Sequence, residues 1–297
     1  MIPEPPPVFT FTGNLLAEHT LEFESWKPGA TQRASRESFQ VGGKGINVSK
    51  MLGRLGVAST ALCFVGGAAG AECEASLTQR VASFRAFRTT SPTRRGTVIR
   101  APATAETTFL GPDAPVGAEA VRACAEFLQG QPPGVLALCG SIPGWSGNAF
   151  DALRDAVVPW RSRGGLLVAD TYGPPLTWLA ALPLDLLKVN AAELRGSGLL
   201  ATGGTAPLRA LRTVITDGPR AVWGRDNVSG ETFERVPPEI REISPTGSGD
   251  VMLACLIQSL FVEGKSLRDA VQYALPFAAA NAAHPGVADF PFPAQDF

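Results

Sequence analysis

The chain has 297 residues, with 26 Lys and Arg against 27 Asp and Glu, and a formal net charge of −1 at pH 7. This length suits a large α/β domain with a sizeable core, and the balanced charge argues against nucleic acid or an acidic membrane surface as a partner. The five cysteines are odd in number and scattered, and only two histidines are present, which disfavours disulfides and a zinc site. Because no signal peptide or membrane-spanning run is recognisable, we expect a cytoplasmic protein.

Short apolar runs alternate with helix-like stretches along the chain. Strands are predicted at 60–65, 134–138, 166–170, 184–190 and 212–216, and helices at 48–55, 118–128 and 149–161. Strands that are apolar on both faces and alternate with helices indicate a mostly parallel sheet covered on both sides. Ligands bind such sheets at the carboxyl ends of the strands.

Two stretches depart from this rhythm, at about 10–39 and 87–111. Alternating patterns at 96–100 and 107–110 predict antiparallel strands there. We therefore expect a single domain over residues 1–297 that carries a small β-sheet lid built from these two stretches.

A glycine-rich segment near the C-terminus carries the strongest chemical signal. Gly247, Ser248, Gly249 and Asp250 lead directly into an apolar run at 251–257. Backbone amides at such a helix start can hold a phosphate charge. With an ordinary pKa of ~3.9, Asp250 would be ionised at neutral pH and could accept a proton from a substrate hydroxyl. An isolated segment of this kind is more often a capped turn before a core helix.

A second glycine motif lies at 42–47 and reads Gly-Gly-Lys-Gly-Ile-Asn. Gly42 and Gly43 permit close backbone approach to a polyol, and Asn47 and Lys44 can present polar groups to its hydroxyls or phosphate. The spacing fits neither a P-loop nor a dinucleotide-binding fingerprint. The plain alternative is a loop followed by an amphipathic helix.

Four segments in order, at 42–47, 140–144, 188–194 and 244–250, resemble the signatures of the PfkB, or ribokinase-like, family of sugar kinases. The resemblance covers nearly the whole chain. It implies a three-layer α/β/α domain with a mostly parallel central sheet and a β lid. It also implies ATP-dependent phosphoryl transfer to a hydroxyl group, with ATP and Mg²⁺ as cofactors and a homodimer formed through the lid.

The resemblance also implies roles for individual residues. Asp250 is the expected catalytic base, and the amides of Gly247, Ser248 and Gly249 form the anion hole. Asn190 and Glu193 are expected to act near the Mg²⁺ ion, through water. The nucleotide contacts that the family pattern implies are Lys188, Asn190, Thr216, Gly218, Gly247, Gly249 and Asn281.

The segments at 12–20 and 28–33 resemble the branch of 1-phosphofructokinases and tagatose-6-phosphate kinases. The expected substrate is therefore a sugar phosphate such as fructose 1-phosphate, fructose 6-phosphate or tagatose 6-phosphate. The alternatives are a kinase that acts on an unphosphorylated sugar or a nucleoside, and a catalytically silent sensor of sugar phosphates. The substrate contacts implied are Asn14, Glu18, Arg33, Gly42, Gly43, Lys44, Asn47, Arg94, Arg95 and Ser141.

The chain departs from the family pattern at several positions. Glu18 stands where the family usually has Asp, which lengthens the carboxylate that would hold a sugar hydroxyl. Ser244 and Pro245 change the start of the C-terminal motif, but its glycines and Asp250 are intact. We therefore expect catalysis to be preserved, whereas the identity of the sugar stays open.

Overall fold

The structure is a computed structural model that describes residues 5–81, 83–102, 104–199 and 209–293. Within these ranges the strands form a nine-stranded sheet and a separate four-stranded sheet. The expectation of a single domain over 1–297 extends beyond the described residues.

The large sheet has the strand order β13-β12-β11-β10-β9-β8-β1-β4-β5. Its strands are β1 (Val8–Thr12), β4 (Ser59–Val65), β5 (Phe84–Arg88), β8 (Val135–Gly140), β9 (Leu166–Thr171), β10 (Leu186–Asn190), β11 (Arg212–Thr216), β12 (Val222–Asp226) and β13 (Thr232–Arg235). All neighbours from β5 to β11 are parallel, and β12 and β13 add an antiparallel hairpin at one edge. The predicted mostly parallel sheet is thus confirmed.

Helices cover both faces of this sheet. They are α1 (Lys44–Arg54), α2 (Gly67–Arg80), α3 (Ala118–Gln129), α4 (Asp151–Ser162), α5 (Pro174–Leu179), α6 (Ala191–Gly196), α7 (Ser248–Ile257) and α8 (Leu267–Ala282). Alternation along β8 explains the two cores: Ala137 and Cys139 pack with α1, α7 and α8, whereas Leu136 and Leu138 pack with α3 and α4. The expected three-layer α/β/α arrangement follows from this.

Helix α2 was absent from the sequence-based prediction. It buries a narrow stripe of mostly small residues, Ala69, Gly70, Cys73 and Leu77, against β4. Such a stripe gives little apolar periodicity, so the sequence signal for this helix is weak. No helix within the described ranges is long and apolar enough to cross a membrane.

The small sheet forms the lid and has the strand order β3-β2-β6-β7. Its strands are β2 (Leu16–Glu22), β3 (Arg36–Gly42), β6 (Arg94–Ala101) and β7 (Thr104–Leu110). The predicted lid stretches start too early, because residues 10–12 and 87–88 belong to β1 and β5 of the large sheet. The antiparallel strands predicted at 96–100 and 107–110 are confirmed as β6 and β7, which pair antiparallel, as β2 and β3 do. The central pair β2 and β6 is parallel. Alternation of apolar residues shows which face of a strand is buried but not its direction.

Gly45 sets how closely α1 approaches β1. A methyl group on Gly45 would lie 2.5 Å from Thr12 Oγ1 and 2.8 Å from the Phe11 carbonyl oxygen, whereas nothing lies within 4 Å of the same position on Gly53. We predict that Gly45→Ala lowers the free energy of unfolding by about 1–3 kcal/mol through overpacking. Gly53→Ala, on the exposed side of the same helix, should raise it by up to about 1 kcal/mol. Urea unfolding followed by tryptophan fluorescence measures both, and equal midpoints for the two variants would contradict this packing.

Candidate active site

A cleft of about 780 Å³ lies between the lid and the carboxyl edge of the large sheet. It brings together most of the residues singled out from the sequence. Those lining it are Asn14, Glu18, Gly42, Gly43, Lys44, Asn47, Arg94, Ser141, Lys188, Asn190, Glu193, Thr216, Gly218, Gly247, Ser248, Gly249 and Asp250.

The glycine loop before α7 is shaped to present its backbone amides. Gly247 precedes the helix in the left-handed region at φ 80°, and a methyl group there would lie 2.3 Å from Val287 Cγ1. A methyl group on Gly249 would lie 2.7 Å from the Lys188 ammonium nitrogen. The Ser248 N–H donates to the Pro245 carbonyl oxygen at 3.3 Å. Backbone amides at a helix start with an ammonium group beside them form a site suited to an anion.

Asp250 occupies the first turn of α7 and is only 5% exposed. Burial raises its pKa to about 6; the Lys44 ammonium and the hydrogen bond from Asn47 lower it, whereas the Asp170 carboxylate raises it further. Asn47, on α1, donates to Asp250 Oδ2 at 2.7 Å. The expectation of an ordinary pKa is therefore wrong, and Asp250 is a stronger base than a solvated aspartate.

A buried ion network lies beside Asp250. Asp170, with no exposed surface, accepts hydrogen bonds from Lys188 at 2.7 Å and Lys44 at 2.9 Å. Burial alone would raise the Asp170 pKa, but the two ammonium groups hold it below its usual range. Lys44 also donates to Glu193 Oε1 at 3.1 Å. Burial would lower the Lys44 pKa, yet Asp170, Glu193 and Asp250 together raise it.

Asp170 was not among the residues predicted from the sequence. The signal was present, because this carboxylate falls at the carboxyl end of the predicted strand 166–170. In a parallel sheet that is where functional side chains gather.

Asn190 and Glu193 begin helix α6 as a capping box. Asn190 Oδ1 accepts from the Glu193 backbone N–H at 2.7 Å, and Glu193 Oε2 accepts from the Asn190 N–H at 3.2 Å. Their oxygens are thus already used by the chain. Within the described residues, no group of His, Cys, Asp or Glu is arranged to hold a metal ion directly.

The other end of the cleft, beneath the lid, holds a polar cluster. Asn14 donates to Ser141 Oγ at 3.0 Å and to Asp113 Oδ1 at 2.8 Å, and Arg94 donates to the same Asp113 oxygen at 3.1 Å. Glu18 accepts a hydrogen bond from Gln40 on the neighbouring strand. Asp113 was missed because it lies in an irregular loop outside any motif.

Three predicted site residues do not reach the cleft. Arg33 is exposed, and Arg95 is 57% exposed and pairs with Glu72 at 3.8 Å. Asn281 is fully buried behind the glycine loop, where it donates to the Thr246 carbonyl oxygen at 2.9 Å and to Ser248 Oγ at 3.1 Å. The structure thus makes Asn281 a support of the loop rather than part of the cleft surface.

Comparisons with known proteins agree with this geometry. The profile of the family described as pfkB family carbohydrate kinase matches residues 13–132 and 178–295. The chain is 27% identical to the ATP-dependent 6-phosphofructokinase isozyme 2 of Escherichia coli (strain K12), over 86% of this chain and 85% of that protein. It is 28% identical to the 1-phosphofructokinase of Rhodobacter capsulatus, over 91% and 89%.

The fold agrees as well. The crystal structure of the phosphofructokinase-2 from Escherichia coli in complex with fructose-6-phosphate superposes with a TM-score of 0.82 at 23% identity, covering 93% of this chain and 94% of that one. The chain therefore belongs to the pfkB family of carbohydrate kinases. This membership makes it a phosphotransferase that acts on a sugar hydroxyl, with ATP as the implied phosphoryl donor.

The two buried aspartates should respond oppositely to the same substitution. Because the folded-state pKa of Asp250 lies above its ordinary value of 3.8, the free energy of unfolding falls as pH rises from about 4 to about 6. Above about pH 6 the full destabilisation by the buried charge remains. We predict that Asp250→Asn raises the free energy of unfolding at pH 7 by roughly 1–3 kcal/mol, with little difference at pH 4. Asp170→Asn breaks two buried ion pairs and should cost about 3–5 kcal/mol at pH 7. Chemical unfolding at both pH values decides this, and destabilisation by Asp250→Asn at pH 7 would contradict it.

Proposed function

We propose that this kinase transfers the γ-phosphoryl group of ATP to a hydroxyl of a ketohexose phosphate of the fructose or tagatose type. The observation that carries the proposal is the position of Asp250, a buried carboxylate that lines the cleft directly beside the glycine amides. The chain's similarity to named 6-phosphofructokinases and 1-phosphofructokinases supports the choice of a sugar phosphate.

Asp250 would act as the general base. As the substrate oxygen forms its bond to the γ-phosphorus and the bond from that phosphorus to the bridging oxygen of ADP breaks, the hydroxyl proton passes to Asp250. A pKa of about 6 leaves this carboxylate largely ionised at neutral pH yet more basic than an ordinary aspartate. The amides of Gly247, Ser248 and Gly249 and the Lys188 ammonium would stabilise the charge on the moving phosphoryl group.

The nucleotide would enter at the carboxyl ends of β10 and β11, where Asn190, Thr216 and Gly218 line the cleft. Asn190 and Glu193 would hold Mg²⁺ near the nucleotide through water, as suits an ion that keeps much of its hydration. Bound there, it would offset phosphate charge. This assignment suits the capping box, in which both side chains are already engaged.

The sugar would lie beneath the lid, against Asn14, Glu18, Asn47 and Ser141. Arg94 lies beneath the lid and could hold the phosphate already present on the sugar. Guanidinium groups form paired hydrogen bonds with phosphate oxygens. The Nε of Arg94 is buried and has no hydrogen-bond partner among the described residues. A kinase of an unphosphorylated sugar is the second candidate, because Asp113 already pairs with Arg94.

We propose that residues 1–297 act as one kinase domain in the cytoplasm. The described cysteines are all buried and unpaired, which suits a reducing compartment. The lid is also the proposed contact for a homodimer. Its edge strand β7 exposes the large apolar side chain of Phe109 outside the cleft, where a partner subunit could cover it.

ADP release with Mg²⁺ and ATP across ketohexose phosphates, free sugars and nucleosides tests this proposal. We expect turnover with a ketohexose phosphate and loss of at least ~100-fold in kcat for Asp250→Asn. Arg94→Ala should raise the KM of that sugar phosphate about 10- to 100-fold, the range of one or two lost charged hydrogen bonds. Arg33→Ala and Arg95→Ala alter residues outside the cleft. Both should leave the KM of the sugar phosphate within about twofold of the wild type. Turnover confined to free sugars would favour the second candidate, and binding without turnover would favour a sensor.

A further inference from the structure

A pair of oppositely charged lid residues spans the cleft and contacts the loop that leads into the anion hole. Arg100 on β6 and Glu106 on β7 are joined by a hydrogen bond of 2.6 Å from Arg100 Nε to Glu106 Oε2. The other Glu106 oxygen accepts from Ser244 Oγ at 3.3 Å and from Thr246 Oγ1 at 3.4 Å. Arg100 also donates to the Pro285 carbonyl oxygen at 2.8 Å. The lid is thus tied to two loops on the opposite wall.

These contacts lie directly beside the proposed phosphate site. Thr246 precedes Gly247, and both line the cleft with Arg100 and Glu106. The loop is therefore held from two sides, by Asn281 behind it and by Glu106 in front. The side chains of Arg100 and Glu106 are only 24% and 17% exposed, so their contacts are largely shielded from solvent.

The charge of Glu106 needs a counter-ion at this place. A bare carboxylate next to a phosphate site would repel the phosphate, and the repulsion is stronger in a partly buried site than in water. Arg100 cancels that charge while leaving one carboxylate oxygen free to hold Ser244 and Thr246. The carboxylate in contact with Ser244 therefore comes from the lid.

We propose that Glu106 is a positioning residue that aligns residues 244–246, and through them the amides of Gly247 and Gly249, when the lid lies over the sugar. Arg100 is its neutralising partner. Glu106 touches no reacting atom and acts through the loop. The inference rests on the proposed role of the glycine amides, and it assigns to two lid residues a part in the phosphoryl-transfer step.

Steady-state kinetics of four variants test the proposal. Glu106→Ala should lower kcat about 10- to 100-fold while the sugar-phosphate KM stays within about threefold. Glu106→Gln keeps an acceptor for Ser244 and Thr246 and should recover kcat to within about fivefold of the wild type. Arg100→Ala leaves an unpaired carboxylate and should raise the KM for ATP about tenfold. Combining Arg100→Ala with Glu106→Ala removes that carboxylate and should return the KM for ATP to within about threefold of the wild type.

Two controls separate positioning from general damage to the lid. Thr107→Ala changes the next residue of β7, which does not line the cleft, and Glu231→Ala removes a carboxylate that pairs with Arg268 in a different part of the chain. Both should leave kcat and both KM values within about twofold. A Glu106→Ala variant that loses thermal stability but keeps kcat would overturn the proposal. So would a double variant whose KM for ATP is no better than that of Arg100→Ala.

A readout without turnover keeps this test separate from the choice of substrate. Calorimetry with a non-hydrolysable ATP analogue should show weaker binding to Arg100→Ala and recovery in the double variant, whichever sugar the enzyme accepts. If no sugar phosphate is turned over but the analogue binds Arg100→Ala weakly and the double variant normally, the proposed substrate is wrong. The proposal that Arg100 neutralises Glu106 then stands. If turnover is found and the analogue binds all variants equally, the proposal for the pair is wrong.

Discussion

The structure depends on the burial of opposite charges at one edge of its large sheet. Two ammonium groups, of Lys44 and Lys188, and the carboxylates of Asp170, Glu193 and Asp250 meet there with little solvent access. Isolated burial of any of these charges would be strongly unfavourable, and only their close pairing makes it tolerable. Among the residues that the structure describes, Asp250 forms no ion pair, and its side-chain hydrogen bond comes from the neutral amide of Asn47. Burial raises the pKa of Asp250 to about 6, although the Lys44 and Lys188 ammonium groups nearby lower it.

The fold explains how residues distant in the chain meet at this edge. Asn47 and Asp250 are 203 positions apart, yet α1 and α7 both begin at the carboxyl edge of the sheet and pack side by side. Lys188 and Asp170 arrive on the adjacent parallel strands β10 and β9. Parallel strands point their carboxyl ends to the same side, so the topology gathers these side chains without a long loop.

Much of this arrangement could be predicted from the sequence. The alternation of apolar strands and helices indicated the parallel sheet, and the order of the glycine motifs predicted which segments meet at the cleft. Asp250, Asn47 and Lys188 were identified from those motifs. The backbone conformation of such motifs depends on residues that are neighbours in the sequence. The positive φ of Gly247 is an example, since it follows from the turn into α7 alone.

Other features depend on packing that no local pattern records. Arg33 and Arg95 resemble phosphate ligands in the sequence, but the path of the lid places them outside the cleft. Asn281 was expected to touch the nucleotide, and only the packing of α8 against the loop shows that its amide is buried. The raised pKa of Asp250 likewise arises from desolvation by the assembled core, which a motif does not reveal.

The pH dependence of kcat/KM tests the central claim, that a desolvated Asp250 is the base. The base must be ionised, so activity should fall as pH drops through about 6. A sugar phosphate also ionises near pH ~6, and Asn47→Ala separates the two. Loss of the Asn47 hydrogen bond raises the Asp250 pKa, so the fall of kcat/KM on the acidic side should shift to higher pH. The pKa of the substrate phosphate would be unchanged by this substitution. A limb near pH 4, or one that Asn47→Ala leaves in place, would contradict the account.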